Sequence, residues 1–596
     1  MGSIKEEPKS SSASDADMEK ADPTTTAPHG EEPQYPAWRR LVLILTALYL
    51  SMFLVALDRT IIGTAIPKIT DDFHSINDVG WYASAYLITL CAFQLIYGRI
   101  YTFYSAKWVL LWAILIFEIG SAVCGSAPNS IAFIIGRAIG NPYPKPIYLN
   151  KTNYHHSWLW VCWNLQWMCH HHGALNYSLH KRPMFQGIFG AVFGLASVCG
   201  PLIGGAFTTN VSWRWCFYIN LPIGAVVVTI ILFILQTPPS KNTDTLKEQI
   251  MKLDPLGTLV FLPGIICLLL ALQWGGTTYP WGNARIIVLF ILAAILIAIF
   301  IVIQFKSGDR ATVPIRIINQ RSIASGFYFS LVSPGAMMVI IYFLPLWFQA
   351  IKGVSAVASG IDSLPLVLSL VVASILSGAI TAKTGYYTGQ LIACSIIMSI
   401  GAGVLTTLKV DTPSAQWIGF QILFGFGLGL GMQQAAMAAQ TCLDNKDVMT
   451  GVSLMFFGQG LGGAIFVSIG QTVFTHSLVS EFSKVANINT AEIVNTGATD
   501  LRNLVPAAAL PSVLVAYNAA LSDTFKVAVG LAAASILAGL TMEWKNLKKM
   551  KEGGAKGEAE ARREEEEEAG AVVANADAHG ETVVTSVPTT PKAVKV

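Results

Sequence analysis

The feature that most constrains this chain is a long series of apolar runs of roughly 20 residues, the length a helix needs to cross the hydrocarbon of a bilayer. They fall at about 41–64, 80–101, 108–127, one beginning at Ser130, 187–208, 215–236, 255–274 and 286–305. A second series follows at about 323–348, 359–380, 388–408, 417–438, 449–474 and 524–540. With the damaged run at Ser130 counted, this predicts about fourteen spans. Charged residues make up only 13% of the chain against 53% hydrophobic, too few to cover a water-facing surface of this size. The reading is an all-α polytopic membrane protein.

Lys and Arg test the span order independently, because loops facing the cytosol are enriched in both. Alternate connections hold Arg39, Arg40, Arg99, Lys107, Lys181, Arg182, Lys241, Lys247, Lys252, Lys306, Arg310, Arg316, Arg321, Lys383, Lys446 and Lys545. The opposite connections hold far fewer, among them Lys68, Arg214, Arg285 and Lys352. Both ends are therefore expected in the cytosol. Residues 1–40 and 542–596 read as disordered cytosolic tails, the first rich in Ser, Glu, Pro and Thr, the second carrying Glu564 to Glu568. The first span is expected to serve for targeting, since no cleavable signal precedes it. The nine cysteines lie mostly inside apolar runs and imply no disulfide framework. A net charge of +3 without a basic stripe excludes nucleic acid as a partner.

Between Gly140 and Ser178 the pattern collapses into Asn141-Pro-Tyr-Pro-Lys-Pro, four tryptophans (158, 160, 163 and 167), and Cys162 with Cys169-His170-His171-His172. The spacing fits no common zinc pattern, and no metal is assigned. The genetic code offers another account. Shifting the frame of residues 158–172 by one nucleotide permits Gly-Phe-Gly-Ser-(Ala/Val)-Gly-Ile-Phe-Ser-Gly-Cys-(Ala/Val)-Ile-Ile-Met, a membrane helix with small residues at packing spacing. Gly140-Asn141 can encode a splice donor and His156-Ser157 an acceptor, bounding an insert of about 50 nucleotides. Residues 140–178 are thus read as a mis-spliced segment translated out of frame.

Chemistry concentrates at the end of the first span, in Leu57-Asp58-Arg59-Thr60-Ile61. A carboxylate inside a span is expensive and functional by default. By helix rise, Asp58 and Arg137 both lie roughly 10 Å below the outer surface. Two readings stand: the two pair and exchange partners as a proton arrives, or both reach separately to the interface. The next element, Ala196 to Gly205, contains Gly200, Pro201, Gly204 and Gly205, an apolar helix able to bend and to pack closely. After it, Trp213-Arg214-Trp215 forms an aromatic and cationic cluster that interfacial anchoring explains equally well. Asn210-Val211-Ser212 is a glycosylation acceptor pattern.

Leu57-Asp58-Arg59-Thr60-Ile61, Gly200-Pro201-Leu-Ile-Gly204-Gly205 and Trp213-Arg214-Trp215 with Ile219-Asn220-Leu221-Pro222, in this order, resemble the drug:proton antiporter branch of the major facilitator superfamily, and fungal toxin and multidrug efflux pumps in particular. The resemblance implies the major facilitator fold: two six-helix bundles, residues 41–236 and 323–541, with a linker of 237–322 carrying two inserted spans. It implies a proton-coupled acid at Asp58, a proton-linked arginine at Arg137 and a gating motif at Gly200, Pro201, Gly204 and Gly205. The partners implied are protons, a small-molecule substrate and the lipid bilayer, with no cofactor and no enzymatic activity. One departure stands in the loop Gly98-Arg99 to Lys107, where Thr102 occupies a position that is often Asp in the wider superfamily. Polar residues inside later spans, chiefly Gln433, Gln434 and Gln459, are candidate substrate contacts, with helix-to-helix hydrogen bonding as the blander role. Glu118 either titrates or simply faces a polar neighbour. The expected function is proton-coupled efflux of small apolar compounds at the plasma membrane, or the vacuole. An uptake permease or a non-transporting receptor of the same fold would share these features.

Overall fold

In hydrocarbon every backbone N–H and C=O must find its partner within the chain, which leaves helices as the economical solution for apolar runs of this length. A computed structural model of the chain describes residues 38–73, 91, 94–96, 98–100, 104–130, 132–133, 182–235, 246–276, 279–444, 447–484, 506 and 509–547. Twelve helices among the described residues are long and apolar enough to cross a membrane. The expected span at about 80–101 and the segment 140–178 lie wholly or largely outside the described residues.

The first group comprises α1 (Trp38–Phe73), α2 (Ala106–Ser126), α3 (Arg182–Asn210), the single turn α4 (Trp215–Tyr218) and α5 (Asn220–Ile234). α1 packs along α3 and α5, and α2 packs along α5. Thr60 donates to the Ala196 carbonyl at 3.1 Å, and Gly200 lies so close to Thr60 that a Cβ would not fit. The glycine-rich motif helix is thereby seated on α1 two residues from Asp58.

The short α6 (Leu246–Lys252) leads into an apolar hairpin, α7 (Pro255–Trp274) and α8 (Ala284–Ser307). Its entry is set by Asp254, which adopts a left-handed φ of 50° and caps α7 by accepting from the Gly257 N–H at 2.9 Å. Pro255 follows at the first helical position, where a missing N–H costs nothing. Asp254, 5% exposed, also accepts from Gln304 at 2.7 Å and from the Thr312 amide and hydroxyl at 3.0 and 2.9 Å. One carboxylate thus ties the start of α7 to the end of α8. Most of α8 is apolar and uncovered, including Val288, Ile291, Ile295, Val302 and Phe305, as expected of a helix facing lipid.

The second group runs through α9 (Arg321–Trp347), α10 (Leu364–Thr384), α11 (Thr388–Leu405), α12 (Ser414–Gly431), α13 (Gln434–Cys442), α14 (Val448–Phe482) and α15 (Leu510–Ala534). α9 carries Pro334 and Pro345 in its interior, each removing an N–H from the helical ladder. α12 is threaded between α10 and α11 by its glycines. Gly425 and Gly429 lie against the carbonyls of Leu366 and Leu370, while Gly427 and Gly431 meet Met398 and Cys394. Small residues at this spacing let helix backbones approach where lipid supplies no hydrophobic drive.

The two groups meet along α3 and α10, where the Ser374 hydroxyl donates to the Gly187 carbonyl at 3.2 Å and Gly194 packs on Val371. They meet again where Gly98 lies against Ser453 of α14. The inserted hairpin leans on α14 as well, through Phe261 and Phe457 with ring centroids 5.6 Å apart.

Candidate functional site

Asp58 is fully buried within α1 and receives a hydrogen bond from the Asn220 side-chain amide at 3.1 Å. Asn220 begins α5 and is itself fully buried; its amide also reaches the Ser121 hydroxyl of α2 at 3.3 Å. One turn along α5, Gly224 lies under the Glu118 carboxyl of α2, with no space for a Cβ. Three helices therefore converge on two carboxyl groups, one amide and one hydroxyl within apolar spans. Arg137, the expected partner of Asp58, lies outside the described residues, as does the side chain of Pro201, whose backbone is helical within α3.

At the near end of these helices stands the tryptophan motif. Trp213 is 1% exposed; it donates to Asp72 at 2.8 Å and carries the Arg214 guanidinium 4.4 Å above its ring. Arg214 also bonds the Ala127 carbonyl at 3.1 Å. Phe73, Phe133 and Phe217 pack edge-on around it. Anchoring in the lipid interface is thus excluded for Trp213, which is a packing centre, and fits only the half-exposed Trp215. Gly204 accepts from Thr208 at 2.6 Å and Gly205 faces Val357, while Asn210 is exposed at the end of α3.

The candidate glutamines separate by environment. Gln434 is 3% exposed and bonds Ser377 at 2.7 Å and Gln390 at 3.3 Å, while Gln390 bonds Thr381 at 2.6 Å. That ring fastens α13 to α10 and α11. Gln433 sits in the turn where α12 gives way to α13. Gln459 instead lines a narrow cleft, together with Phe329, Ser333, Met337, Met455 and Phe456. Its walls are apolar and sulfur-rich, with one amide and two serine hydroxyls, a lining suited to small, largely apolar molecules.

At the opposite end of the bundle lies a charged cluster. Arg316 grips Asp447, the residue preceding α14, through both guanidinium nitrogens, and bonds Asp309 at 2.7 Å. The hydrogen bond to Asp447 holds the Arg316 guanidinium well above its ordinary range. Arg99 donates to the carbonyls of Lys252 and Asp309, both at 3.1 Å.

The sequence model of the Major Facilitator Superfamily matches residues 48–141 and 174–467. The chain belongs to the major facilitator superfamily. Its match to the family is interrupted from 142 to 173. Among characterised members, the chain is 51% identical to the MFS-type efflux pump MFS1 of Arthroderma benhamiae over 85% of this chain and 92% of that one. It is 48% identical to the rubrofusarin-specific efflux pump aurT of Gibberella zeae over 87% and 92%. It is 47% identical to the efflux pump aflT of Aspergillus parasiticus over 85% and 96%. A solved proton:xylose symporter of the superfamily superposes with a TM-score of 0.52 at 12% identity, covering 86% of this chain and 99% of that one. This superfamily chain is a multi-pass membrane transporter and not an enzyme.

Sequence reasoning had Asn220 only within a family motif and Arg316 only as a loop cation, and assigned no role to Ser121, Asp254 or Asp447. Asp254 had a legible signal, an acid immediately before Pro255 and an apolar run. The others are joined across 99 to 162 residues of chain, and no local pattern reports such pairs.

Proposed function

We propose that this chain is a proton-coupled exporter of small, largely apolar compounds, of the toxin, secondary-metabolite or drug class, within the fourteen-span drug:proton antiporter branch. The observation that carries it is Asp58, a fully buried carboxyl in α1 adjoining the glycine-rich helix α3. Efflux pumps are the named activity of relatives at 47 to 51% identity, which favours outward over inward transport.

In this reading residues 41–236 and 323–541 form two bundles that rock against each other about a central cavity, with 237–322 supplying the two inserted spans. Ionised Asp58 is held by Asn220 and, when the helix bearing it is engaged, by Arg137. Keeping a carboxylate in the bundle interior costs several kcal/mol unless it is paired and hydrogen-bonded. A proton entering from outside removes the charge and loosens that pairing. The change reaches α3 through the Thr60 contact with Ala196 and Gly200, where Pro201, Gly204 and Gly205 permit a bend. Substrate occupies the cleft at Gln459, which Met432, Ala435 and Ala436 line on either side of Gln433 and Gln434 in the chain. The plasma membrane is the expected location, with both termini in the cytosol according to the Lys and Arg distribution.

The test is flux in everted vesicles and proteoliposomes with an imposed pH gradient. Asp58→Asn is expected to abolish proton-driven efflux while leaving surface expression intact. Normal proton-driven efflux in that variant refutes the role of Asp58, and cargo flux indifferent to the gradient in the native chain refutes proton coupling.

A further inference from the structure

We infer that Glu118 is a second proton-binding carboxyl, coupled to Asp58 through Asn220; this rests on the export reading above. Among the described residues, both Glu118 oxygens are buried and accept no hydrogen bond, and the Asn220 Oδ1, on a side chain fully withdrawn from solvent, has no donor either. The Asn220 amide protons are directed to Asp58 and Ser121. Among Glu118, Asn220 and Ser121, the side-chain protons are the two of that amide and the one of the Ser121 hydroxyl. Acceptor oxygens outnumber them. Buried acceptors without donors are costly, and two ionised carboxyls in one apolar site more so. A proton on Glu118 resolves both: it cancels one charge and turns that carboxyl into a donor.

The groups around Glu118 leave Asp58 as its electrostatic partner. From α4, the Tyr218 ring packs on Gly125, further along α2. Arg214 is engaged with Ala127 beyond the end of α2, and Lys107 bonds the Leu232 carbonyl at its other end. Among the described residues neither cation reaches Glu118. Gly224 supplies the space the carboxyl occupies, so the α5 backbone is shaped to admit it. The pair then holds one proton on Glu118 with Asp58 ionised, and takes a second on Asp58 as transport proceeds. Two such groups titrate as a unit with separated macroscopic steps.

Infrared difference spectroscopy of the purified full chain in nanodiscs, stepped through pH, reads this without any cargo. The native chain should show a protonated-carboxyl stretch that Glu118→Gln removes and Glu118→Asp restores at an altered position. Glutamine carries an amide in place of the protonated acid, so folding, checked by thermal midpoint, should be kept. In Asp58→Asn the Glu118 band should survive but lose its proton at lower pH, because the neighbouring negative charge is gone. An unchanged spectrum in Glu118→Gln overturns the proposal, as does a Glu118 titration indifferent to Asp58→Asn. A band abolished by sodium at constant pH overturns it too, marking a cation site. Because the spectrum reports protonation and the vesicle assay reports flux, the coupling role of Asp58 can fail while the Glu118 proton is found, and the reverse.

Discussion

Arg316, in the segment leaving the inserted hairpin, clasps Asp447 at the start of α14 through both nitrogens of its guanidinium fork, one of them at 2.8 Å. Arg99 holds the same hairpin from the first group, by the carbonyls at its entry and exit. The hairpin is therefore a strap joining the two groups at one end of the bundle. Asp447 is 8% exposed at its side chain, so removing Arg316 strands a nearly buried carboxylate. Arg316→Ala should lower stability by about 1–3 kcal/mol, read as a fall in thermal midpoint. The exchange Arg316→Asp with Asp447→Arg should recover part of that loss, and a double-mutant cycle with no coupling between the two positions would show the clasp to be inert.

Asp254 is expected to be the most sensitive single position of the hairpin. Its carboxylate satisfies the Gly257 and Thr312 backbone amides, the Thr312 hydroxyl and Gln304. Asp254→Ala leaves those donors buried without a partner, at about 1–3 kcal/mol for each one. The hairpin should then become open to protease at its stalks, with residues 252–254 and 308–313 cleaved first in limited proteolysis. Asp254→Asn, which keeps one acceptor oxygen, should lie between the two.

Much of this architecture was legible in the sequence because lipid imposes one strong rule, apolar runs of a fixed length. The span positions follow from that rule, and α7, α8, α9 and α11 begin and end within a few residues of the apolar runs that announced them. Asp58 was legible for the same reason, as a charge where none is tolerated without cause. What composition could not report is partnership. Gln434 and Gln459 look alike in the sequence, yet one closes a hydrogen-bond ring between helices and the other lines a cleft. Glu118 was ambiguous until Gly224, over a hundred residues later in the chain, was seen to leave room for its carboxyl.

The segment after the last long helix should be pH-sensitive. Glu543 is held below its ordinary range by hydrogen bonds, first from Lys545 at 2.9 Å and then from Ser322 at 2.9 Å. A depressed carboxyl stabilises the docked state above its unfolded value of 4.5 and withdraws that support as pH falls through the lowered folded value. Because Glu543 is over a third exposed, the contribution is below about 1 kcal/mol. Hydrogen exchange at Leu547, whose amide bonds the Gly385 carbonyl at 3.0 Å, should rise below pH 4.5 in the native chain. In Glu543→Gln exchange should be faster at neutral pH and show no such rise.

Cargo selection should respond to Gln459. Its amide is among the few polar groups in a cleft otherwise walled by Phe329, Met337, Met455 and Phe456. Gln459→Leu is expected to reduce transport of oxygen-bearing cargo by roughly tenfold, the value of one hydrogen bond of about 1.4 kcal/mol, while hydrocarbon-like cargo is moved as well as before. Competition between a hydroxylated and a deoxygenated aromatic compound in the same vesicles measures the ratio directly. Equal losses for both would place Gln459 in packing between helices.

The interrupted family match bears on the message that encodes the chain. The sequence model fits residues 48–141 and resumes at 174, so the gap falls within the 140–178 segment whose shifted frame permits a glycine-rich apolar helix. An insertion in a loop of a homologous protein would leave both flanking spans intact. Here the gap follows directly on the apolar run that carries Arg137, and the segment permits a membrane helix when its frame is displaced by a single nucleotide. We therefore expect the mature transcript to lack about 50 nucleotides from within the Gly140 codon, joining Arg137-Ala138-Ile139 through an Ala to that helix. The protein made from the spliced message should reach the membrane and export, whereas the chain carrying residues 141–178 as written should fail to place Arg137 beside Asp58 and should show no proton-driven flux. Sequencing of the transcript decides the first expectation, and side-by-side expression of the two forms decides the second; full proton-driven activity from the unspliced form would remove the case for Arg137 as the partner of Asp58.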